Sequence, residues 1–295
     1  MKTNYLRIII AVMVLYIVFI SFRTISTSLF FSHGDRITIL FYGTNSQLLS
    51  LDLKDNVNYI IDFDNEMAAL VPGGYGRYKF GALGRLSEIE KNPKILLNTF
   101  SSAISGYVPY YVTPQKNAVY DEEFQHARAG IPKINLLTVF NSSHLRTNAR
   151  FTDRLFLFFT LINKRRSDFI PLSGSLHDPS KSTLYSEESF QKKYKGFFYE
   201  KRLRAEGKNI RIVYGTYSAT KTLSRIIEGI GIRVVDVSYL GDKMIPAGCT
   251  ILDSSKSNLT SVTLSKLFDC QIKHGQISGA DIELILGQKL ERDWE

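Results

Sequence analysis

Three acidic residues at alternate positions are the first in this 295-residue sequence whose types and spacing suit chemistry. Asp62, Asp64 and Glu66 would share one face of a strand, because successive side chains of a strand point to opposite faces. Carboxylate oxygens placed in this way can bind a hard divalent cation. The row is also typical of a solvated strand edge. We favour that interpretation, because no basic group stands beside the row to bind a phosphate.

Glycines follow the acidic row and offer a second possible site. Gly73, Gly74 and Gly76 could cradle a phosphate, but a tight turn needs the same residues and the sequence lacks the G-x-x-x-x-G-K-[ST] pattern. The five histidines show no paired ligand spacing, and there is no G-x-S-x-G motif. The sequence therefore predicts no metal site, no cofactor and no independent nucleophile.

The basic excess is confined to one part of the chain. Lys and Arg number 37 against 28 Asp and Glu, which gives a formal net charge of +9. Residues 145–208 contain 14 of the basic and 7 of the acidic side chains. A hydrophobic content of 44% indicates a globular protein and excludes a disordered chain. Because the charge is local, nucleic acid is not an expected partner.

An apolar segment lies near the N-terminus. Residues 8–22 carry no charge, and with the residues flanking Arg7 and Arg23 the segment reaches about 20 residues, enough to cross a bilayer. A cleavable signal peptide would begin in the same way, but no A-x-A site follows, so we favour an uncleaved signal anchor. We expect residues 1–31 to form a cytoplasmic tail and a single transmembrane helix in the cell membrane, with the remaining chain extracytoplasmic.

The chain after the anchor shows an α/β pattern, which we assign to a domain over residues 32–172. Short apolar runs predict strands, and a longer periodic segment broken near Pro93 predicts a helical hairpin. The strands are expected over residues 37–42, 48–53, 59–63 and 108–112, and the hairpin over residues 83–104. Strands and helices mixed in this order indicate an α/β fold.

An apolar helix is predicted at residues 151–163, near the end of this domain. It could lie on the membrane surface, with Lys164, Arg165 and Arg166 against lipid phosphates, or it could be buried in the core. We favour the buried helix, because ten contiguous apolar or neutral residues suit a core. The basic triplet is the candidate contact with membrane lipid or an anionic polymer.

A basic connector is predicted at residues 173–207. Its first part, residues 173–186, is rich in Ser, Gly and Pro and indicates a hinge. Its second part, residues 190–206, indicates one solvated basic helix that ends at Gly207. An anionic surface or polymer is the partner that this charge favours.

Residues 208–291 give the clearest pattern. Strand and helix signals follow the order β-α-β-β-α-β-β, with a turn at Gly215 and Thr216 after the first strand. A module of about 80 residues can form its own core. Cys249 and Cys270 both precede predicted strands. Two buried thiols are the favoured interpretation, and a disulfide is the alternative that an oxidising compartment permits.

The C-terminal module resembles the LytR cell envelope-related transcriptional attenuator C-terminal domain. The segments IRIVYGTYSATKTLSRIIEGIGIRVVDV and ADIELILG are similar to that family's strand, Asn-Gly-Thr turn, helix, G-x-x-V-V strand and closing A-D-I-x-(L/V)-I-L-G strand. The sequence departs from the pattern at the turn, where Tyr214 replaces the usual Asn. The resemblance implies a protein of the bacterial cell envelope.

Residues 36–113 resemble part of the LytR-CpsA-Psr domain. PGGYGRYKFGAL and ISGYVPYYV are similar to the family's P-G-Y-G, K-I-N-x-A and G-I-P-I-D-x-Y-V segments. Active members transfer a glycopolymer from a polyprenyl-pyrophosphate carrier onto peptidoglycan. They use Mg²⁺ and an Arg/Asp cluster, because a multiply charged leaving group must be neutralised in place. The resemblance implies polyprenyl-phosphate lipid or cell-wall polymer as partner.

The cluster that would hold the pyrophosphate is degenerate here, and the domain is truncated. The family's P-R-D triplet falls on residues 64–66, so that Asn65 replaces the Arg and Glu66 replaces the Asp. The upstream Arg-x-Asp falls on residues 44–46, which read Thr-Asn-Ser. We therefore expect a pseudoenzyme, a non-catalytic binding or assembly factor for cell-wall glycopolymer.

Basic residues near the glycine loop keep an enzymatic alternative open. Lys79 matches the lysine of the K-I-N segment, and Arg77 and Arg85 lie close to it in sequence, so all three are candidate anion contacts. A diverged Mg²⁺-dependent phosphotransferase would use Glu66 and Lys79 as catalytic residues. It predicts that these four side chains converge on one pocket.

Overall fold

The computed structural model describes most of the chain after residue 27. The described residues are 28–32, 34–43, 45–114, 145–174, 177–178, 181–241, 245–255 and 258–295, with positions 12, 13, 15, 16, 19, 20, 134 and 139. The predicted anchor at residues 8–22 lies outside these, apart from six helical positions. Within the described residues, no helix combines the length and the apolar character needed to span a bilayer.

The first domain is a mixed α/β structure. Its strands are β1 (Arg36–Phe41), β2 (Ser46–Asp52), β3 (Asn58–Phe63), β4 (Ala68–Val71), β5 (Gly76–Lys79), β6 (Tyr110–Pro114), β7 (Leu145–Thr147), β8 (Phe169–Gly174), β9 (His177–Asp178) and β10 (Lys181–Tyr185). Its helices are α1 (Leu29–Ser32), α2 (Leu83–Ile89), α3 (Lys94–Ile104), α4 (Phe151–Leu161), α5 (Glu187–Tyr194) and α6 (Lys201–Glu206). The predicted helical hairpin is confirmed, with α2 and α3 on either side of Pro93.

A six-stranded sheet in the order β7-β6-β1-β2-β3-β8 lies between two helical layers. Leu40 of β1 belongs to a core formed with α2 and α3, whereas Ile39 and Phe41 belong to a core formed with α1 and α4. Because both faces of the sheet are covered, β2 is buried at all seven positions. This double burial explains the near-continuous apolar runs of the strands.

Helix α4 is a core helix along one face. Leu157 and Leu161 are buried in the second core, as the favoured interpretation predicted. Asp153 is also buried, and its Oδ1 accepts a hydrogen bond from the backbone N–H of Leu29 at 2.8 Å. The opposite face is open, because Phe159 is 59% exposed.

The connector differs from the prediction in two ways. The hinge expected at residues 173–186 is wrong, because β8 pairs with β3 as far as Gly174 and β10 spans Lys181–Tyr185. The ladders of β8 with β3 and of β10 with β4 and β9 outweigh the turn-forming composition. The single basic helix expected at residues 190–206 is divided into α5 and α6. Gly196 has φ of +94°, which an α-helix does not accommodate.

The C-terminal module has the element order that the sequence predicted. It contains β11 (Asn209–Tyr214), α7 (Tyr217–Gly229), β12 (Arg233–Tyr239), β13 (Thr250–Asp253), α8 (Leu259–Phe268), β14 (Gln271–His274) and β15 (Ile282–Ile285), followed by α9 (Gln288–Trp294). The sheet order is β12-β11-β15-β13-β14, with β13 antiparallel to β15 and the other pairs parallel. Helix α9 begins at Gln288, inside the predicted module, and extends beyond its predicted limit at residue 291.

Cys249 and Cys270 form a disulfide, so the favoured prediction of two thiols is wrong. The residues precede β13 and β14, and these strands pair in parallel with Thr250 opposite Gln271. This register places the two cysteine Cα atoms 4.8 Å apart, within the range that a disulfide spans. The sequence identified both strands but not their adjacency.

A buried ion pair joins the C-terminal module to the first domain. Arg225 of α7 pairs with Glu187 of α5, and their side chains are 10% and 13% exposed. Arg225 also donates to Oγ of Ser102 on α3 at 3.2 Å, and that hydroxyl donates to Glu187 at 3.0 Å. Close by, a Cβ atom added to Gly229 would overlap the carbonyl oxygen of Ser105. The two units are therefore in tight contact.

Candidate functional site

Glu66 and Lys79 come together at the β4–β5 hairpin. The hairpin pairs Ala68 with Lys79, which brings the turn before β4 beside the end of β5. Nζ of Lys79 lies 2.7 Å from Oε2 of Glu66, and the two side chains are 59% and 78% exposed. The hydrogen bond and the charge of Glu66 raise the pKa of Lys79. The pair is a surface salt bridge with no net charge.

The other two candidate anion contacts form no ion pair with Glu66 among the described residues. Arg85 is 75% exposed and pairs with Glu88 on its own helix, at 3.9 Å. Arg77 lies two residues before Lys79 in the exposed strand β5, opposite Leu70 and on the same face as Lys79. The described structure therefore joins Glu66 to Lys79 in one ion pair, which Arg77 and Arg85 do not enter.

The acidic row is divided among separate partners. Asp62 accepts hydrogen bonds from Nε2 of Gln47 and from Arg166, both at 2.6 Å. Asp64 accepts the backbone N–H of Glu66 at 2.9 Å, as a turn residue does. No group of three metal-ligating side chains occurs among the described residues. Only Asp62 lies in a strand, β3, which is between β2 and β8, whereas Asp64 and Glu66 follow it in a turn, so the predicted shared strand face is wrong.

Asn65, at the position of the missing arginine, holds the loop together. Its Nδ2 donates to the carbonyl oxygen of Gly43 at 3.2 Å, and its own carbonyl oxygen accepts the N–H of Gly81 at 3.0 Å. Below this loop the hydroxyl of Tyr42 donates to Gly81 at 2.9 Å and accepts the N–H of Gly84 at 2.7 Å. Burial raises the pKa of Tyr42 to about 12, so the phenol stays protonated. These groups are committed to the loop backbone.

The basic triplet after α4 is partly occupied by contacts within the chain. Lys164 donates to Oδ1 of Asn56, and Arg166 forms the ion pair with Asp62 at 2.6 Å. The backbone N–H of Arg165 donates to Asp168 at 2.8 Å, while its side chain is exposed. The role of the triplet as a membrane or polymer contact remains a prediction.

The turn at Gly215 and Thr216 already binds an anionic group of the same chain. Oε1 of Glu291, on α9, accepts the backbone N–H groups of both residues, at 2.5 and 2.9 Å. The residue is only 4% exposed. Negative charge is favourable at this place because the N–H groups at the start of α7 have no partners within the helix. The sequence analysis identified the turn but missed Glu291.

A cleft of about 470 Å³ lies between the first sheet and the segment that joins α5 to α6. Its lining combines aromatic and cationic side chains, namely Arg36, Tyr59, Phe197, Tyr199, Lys201 and Arg204, with the carboxylate of Asp52. The cleft brings together residues that are about 140 positions apart in sequence. The run Phe197-Phe198-Tyr199 between basic residues was the available signal, and the sequence analysis did not use it.

Arg36 forms the inner wall of this cleft. Its guanidinium lies 5.0 Å from the centre of the Tyr59 ring and donates to Ser50 at 3.0 Å and Asp52 at 3.1 Å. Burial lowers the pKa of Arg36, although the charge of Asp52 opposes that shift. Arg36 is therefore a fixed cation that holds the Tyr59 ring in place.

No protein-family model and no curated protein matches the sequence. Among solved structures, the chain is similar to Bacillus subtilis TagV, with 11% identity, 55% of this chain and 98% of that chain covered, and a TM-score of 0.38. It is similar to the LytR-CPS2A-psr family protein YwtF (TagT) with bound octaprenyl pyrophosphate lipid, with 10% identity, coverage of 54% and 87%, and a TM-score of 0.31. It is also similar to TagT bound to LIIa-WTA, with 10% identity, 72% of this chain and 80% of that chain covered, and a TM-score of 0.25.

One of these neighbours, YwtF (TagT), is named as a LytR-CPS2A-psr family protein. This is the family whose motifs the sequence resembles. TM-scores below 0.5 do not establish a shared fold. The function of this chain has to come from its own residues and contacts.

Proposed function

We propose that the protein is a membrane-anchored, extracytoplasmic protein of the cell envelope that binds or assembles cell-wall glycopolymer without transferring it. The observation that carries the non-catalytic part is the isolation of the Glu66–Lys79 salt bridge. Its side chains are largely in water, Arg85 pairs with Glu88 instead, and Arg77 forms no ion pair among the described residues. Asn65 binds the loop backbone in place of the family's arginine.

Electrostatics supports the loss of transfer. Displacing a pyrophosphate requires cations that are fixed around the leaving group in a site that excludes water. A single exposed lysine whose charge is balanced by Glu66 provides neither condition.

The proposed ligands are an anionic cell-wall polymer or a polyprenyl-phosphate lipid, with membrane lipid around the anchor. These classes follow from the motifs that the sequence shares with LytR-CpsA-Psr proteins. The basic residues 145–208 suit an acidic ligand, since they contain twice as many cations as carboxylates.

The alternative function is a diverged Mg²⁺-dependent phosphotransferase. One observation favours it, namely that two of its predicted catalytic groups do meet, with 2.7 Å between Glu66 and Lys79. In that case Glu66 would hold the Mg²⁺ ion and Lys79 would contact the phosphate.

A transferase assay separates the two functions. The full-length protein in detergent is given a polyprenyl-pyrophosphate-linked glycan, peptidoglycan and Mg²⁺, and transfer is measured against Glu66→Ala, Lys79→Ala and the control Glu90→Ala, an exposed carboxylate directly after α2. We expect no transfer by any of the four proteins. Turnover by the wild type that is lost in Glu66→Ala and Lys79→Ala, but kept in Glu90→Ala, would establish the phosphotransferase.

The anchor is tested independently of catalysis. We expect the full chain to fractionate with membranes and a chain lacking residues 1–31 to leave them. External protease added to cells without a wall should digest the C-terminal module while leaving a cytoplasmic control intact. Protection of that module until the membrane is opened would contradict the extracytoplasmic orientation.

A further inference from the structure

The cleft between the first sheet and the α5–α6 segment has the features of a binding site that the motifs do not identify. It is bounded on one side by Arg36 and Tyr59 and on the other by Phe197, Tyr199 and Arg204. These positions come from two distant stretches of the chain, so only the fold brings them together. From this cleft we infer that the protein binds an acidic saccharide there.

The aromatic side chains supply stacking surface. The ring centroids of Tyr59 and Phe197 are 5.0 Å apart, and both side chains, like Tyr199, are partly exposed. Behind them Phe198 is 5% exposed and its ring lies 6.1 Å from that of the fully buried Phe190. The rings are thus held by the core and still offer surface to a ligand. Sugar rings present apolar C–H faces together with hydroxyl groups, which suits aromatic side chains of this kind.

The charges indicate a ligand with few negative groups. Arg36, Lys201 and Arg204 are the cations of the cleft, and Asp52 and Asp55 are the carboxylates beside them. Lys201 pairs with Asp55, and Arg36 pairs with Asp52. Among the described residues, Arg204 is the lining cation outside these two ion pairs, which suits a ligand that presents few acidic groups.

Arg204 is the cation best placed to contact that acidic group. Its guanidinium lies 5.6 Å from the centre of the Tyr199 ring, and no salt bridge to it occurs among the described residues. The side chain is exposed at the mouth of the cleft. An arginine stacked on a ring is preoriented to bind a carboxylate or phosphodiester with two hydrogen bonds.

A single-stranded nucleic acid also stacks on aromatic rings beside cations. Channels for such strands follow the phosphate backbone with cations that have no carboxylate partner. Here two of the three cations are neutralised by carboxylates, one of which, Asp52, is only 5% exposed. A carboxylate would repel a chain of phosphates but accepts hydrogen bonds from hydroxyl groups. The saccharide is therefore favoured.

The inference gives the proposed binding role a location, and it relies on that role only for its biological setting. The test uses full-length protein in detergent and titration calorimetry with three probes of matched length. These are a hyaluronan octasaccharide, which has one carboxylate on every second sugar, a neutral chitin oligosaccharide and a single-stranded DNA oligonucleotide. We expect hyaluronan to bind more tightly than the neutral oligosaccharide. Added salt should weaken the binding of hyaluronan and leave the binding of the neutral oligosaccharide unchanged.

Variants locate the site. We expect Tyr199→Ala to weaken hyaluronan binding about tenfold, as loss of a stacking ring does, and Tyr199→Phe to restore it. We expect Arg204→Gln to weaken it about threefold to fivefold, the size of an exposed charge interaction. The control is Lys266→Gln, an exposed cation of α8 outside both the cleft and the basic residues 145–208, which should leave binding unchanged. A thermal melt of each variant confirms that it is folded.

Three outcomes would overturn the inference. They are equal binding of the acidic and neutral saccharides, unchanged binding in folded Tyr199→Ala, and DNA binding that exceeds saccharide binding and depends on the same residues. Failure of the proposed function reads differently. If the cleft variants still bind wall polymer, only the location in the cleft is contradicted. If the protein binds hyaluronan but has no affinity for wall polymer, only the envelope role is contradicted.

Discussion

Two ion pairs of this protein have the same chemistry and opposite surroundings. Glu66 and Lys79 meet at a hairpin, 78% and 59% exposed, whereas Glu187 and Arg225 meet between two structural units, 13% and 10% exposed. The buried pair also shares hydrogen bonds with Ser102 on a third element. In water the two charges of a pair are screened. Between packed helices, each charge depends on the other.

The comparison shows that a charged pair near a family motif is not evidence of a site. Glu66 and Lys79 are candidate catalytic residues only because of where they lie in the sequence, next to the glycine loop. The pair that joins the two units has Arg225 inside the C-terminal segment and Glu187 outside both resembling segments. Burial separates the two roles, and burial is a property of the folded chain.

Removing one partner of the buried pair should give the largest effect on stability. We expect Glu187→Ala to lower the free energy of unfolding by about 3–5 kcal/mol, because Arg225 keeps its charge without its partner. Chemical denaturation measures the change. The matched control is Glu188→Ala, the adjacent carboxylate, which is 70% exposed and pairs with Lys221. Equal losses of unfolding free energy in the two variants would contradict the expectation that the buried pair contributes more to stability than the exposed pair.

Crowding the same interface should give an intermediate effect. Gly229→Ala places a methyl group against the carbonyl oxygen of Ser105, and we expect a loss of about 1–3 kcal/mol from the displaced helix. Gly248→Ala is the control, since nothing lies within 4 Å of its added Cβ atom. If Gly229→Ala unfolds at the same denaturant concentration as the wild type, the contact between α7 and α3 is looser than described.

Breaking the exposed pair should give the smallest effect. We expect Lys79→Ala and Glu66→Ala to unfold at the same denaturant concentration as the wild type, within error, because solvent and salt screen the pair. If the denaturant midpoint of either variant falls nearly as far as that of Glu187→Ala, the hairpin pair stabilises the fold.

The sequence predicted most elements of the fold because their signals are local. The apolar run of β2, the break at Pro93 and the order of elements in residues 208–291 all follow from neighbouring residues. What it missed depends on contacts between distant residues. The Cys249–Cys270 bond needs the adjacency of β13 and β14, and β8 needs its ladder with β3.

The candidate site divides in the same way. Glu66 and Lys79 are 13 residues apart and joined by one hairpin, so their meeting could be expected from a turn. The aromatic cleft needs Tyr59 of one domain beside Phe197 of the connector, and the division of the predicted basic helix at Gly196 exposes that aromatic run. Composition marked the connector as basic but could not show which rings its cations would face.

The contact between Glu291 and the β11–α7 turn makes the C-terminal helix an internal ligand of the module. A turn with two N–H groups at a helix N-terminus would otherwise be available to a phosphate or carboxylate from solution. Any such anion has to displace a tethered carboxylate, which is present at a high effective concentration, and has to expose a side chain that is now 4% exposed. The carboxylate of Glu291 therefore competes with external anions at the turn of Gly215 and Thr216.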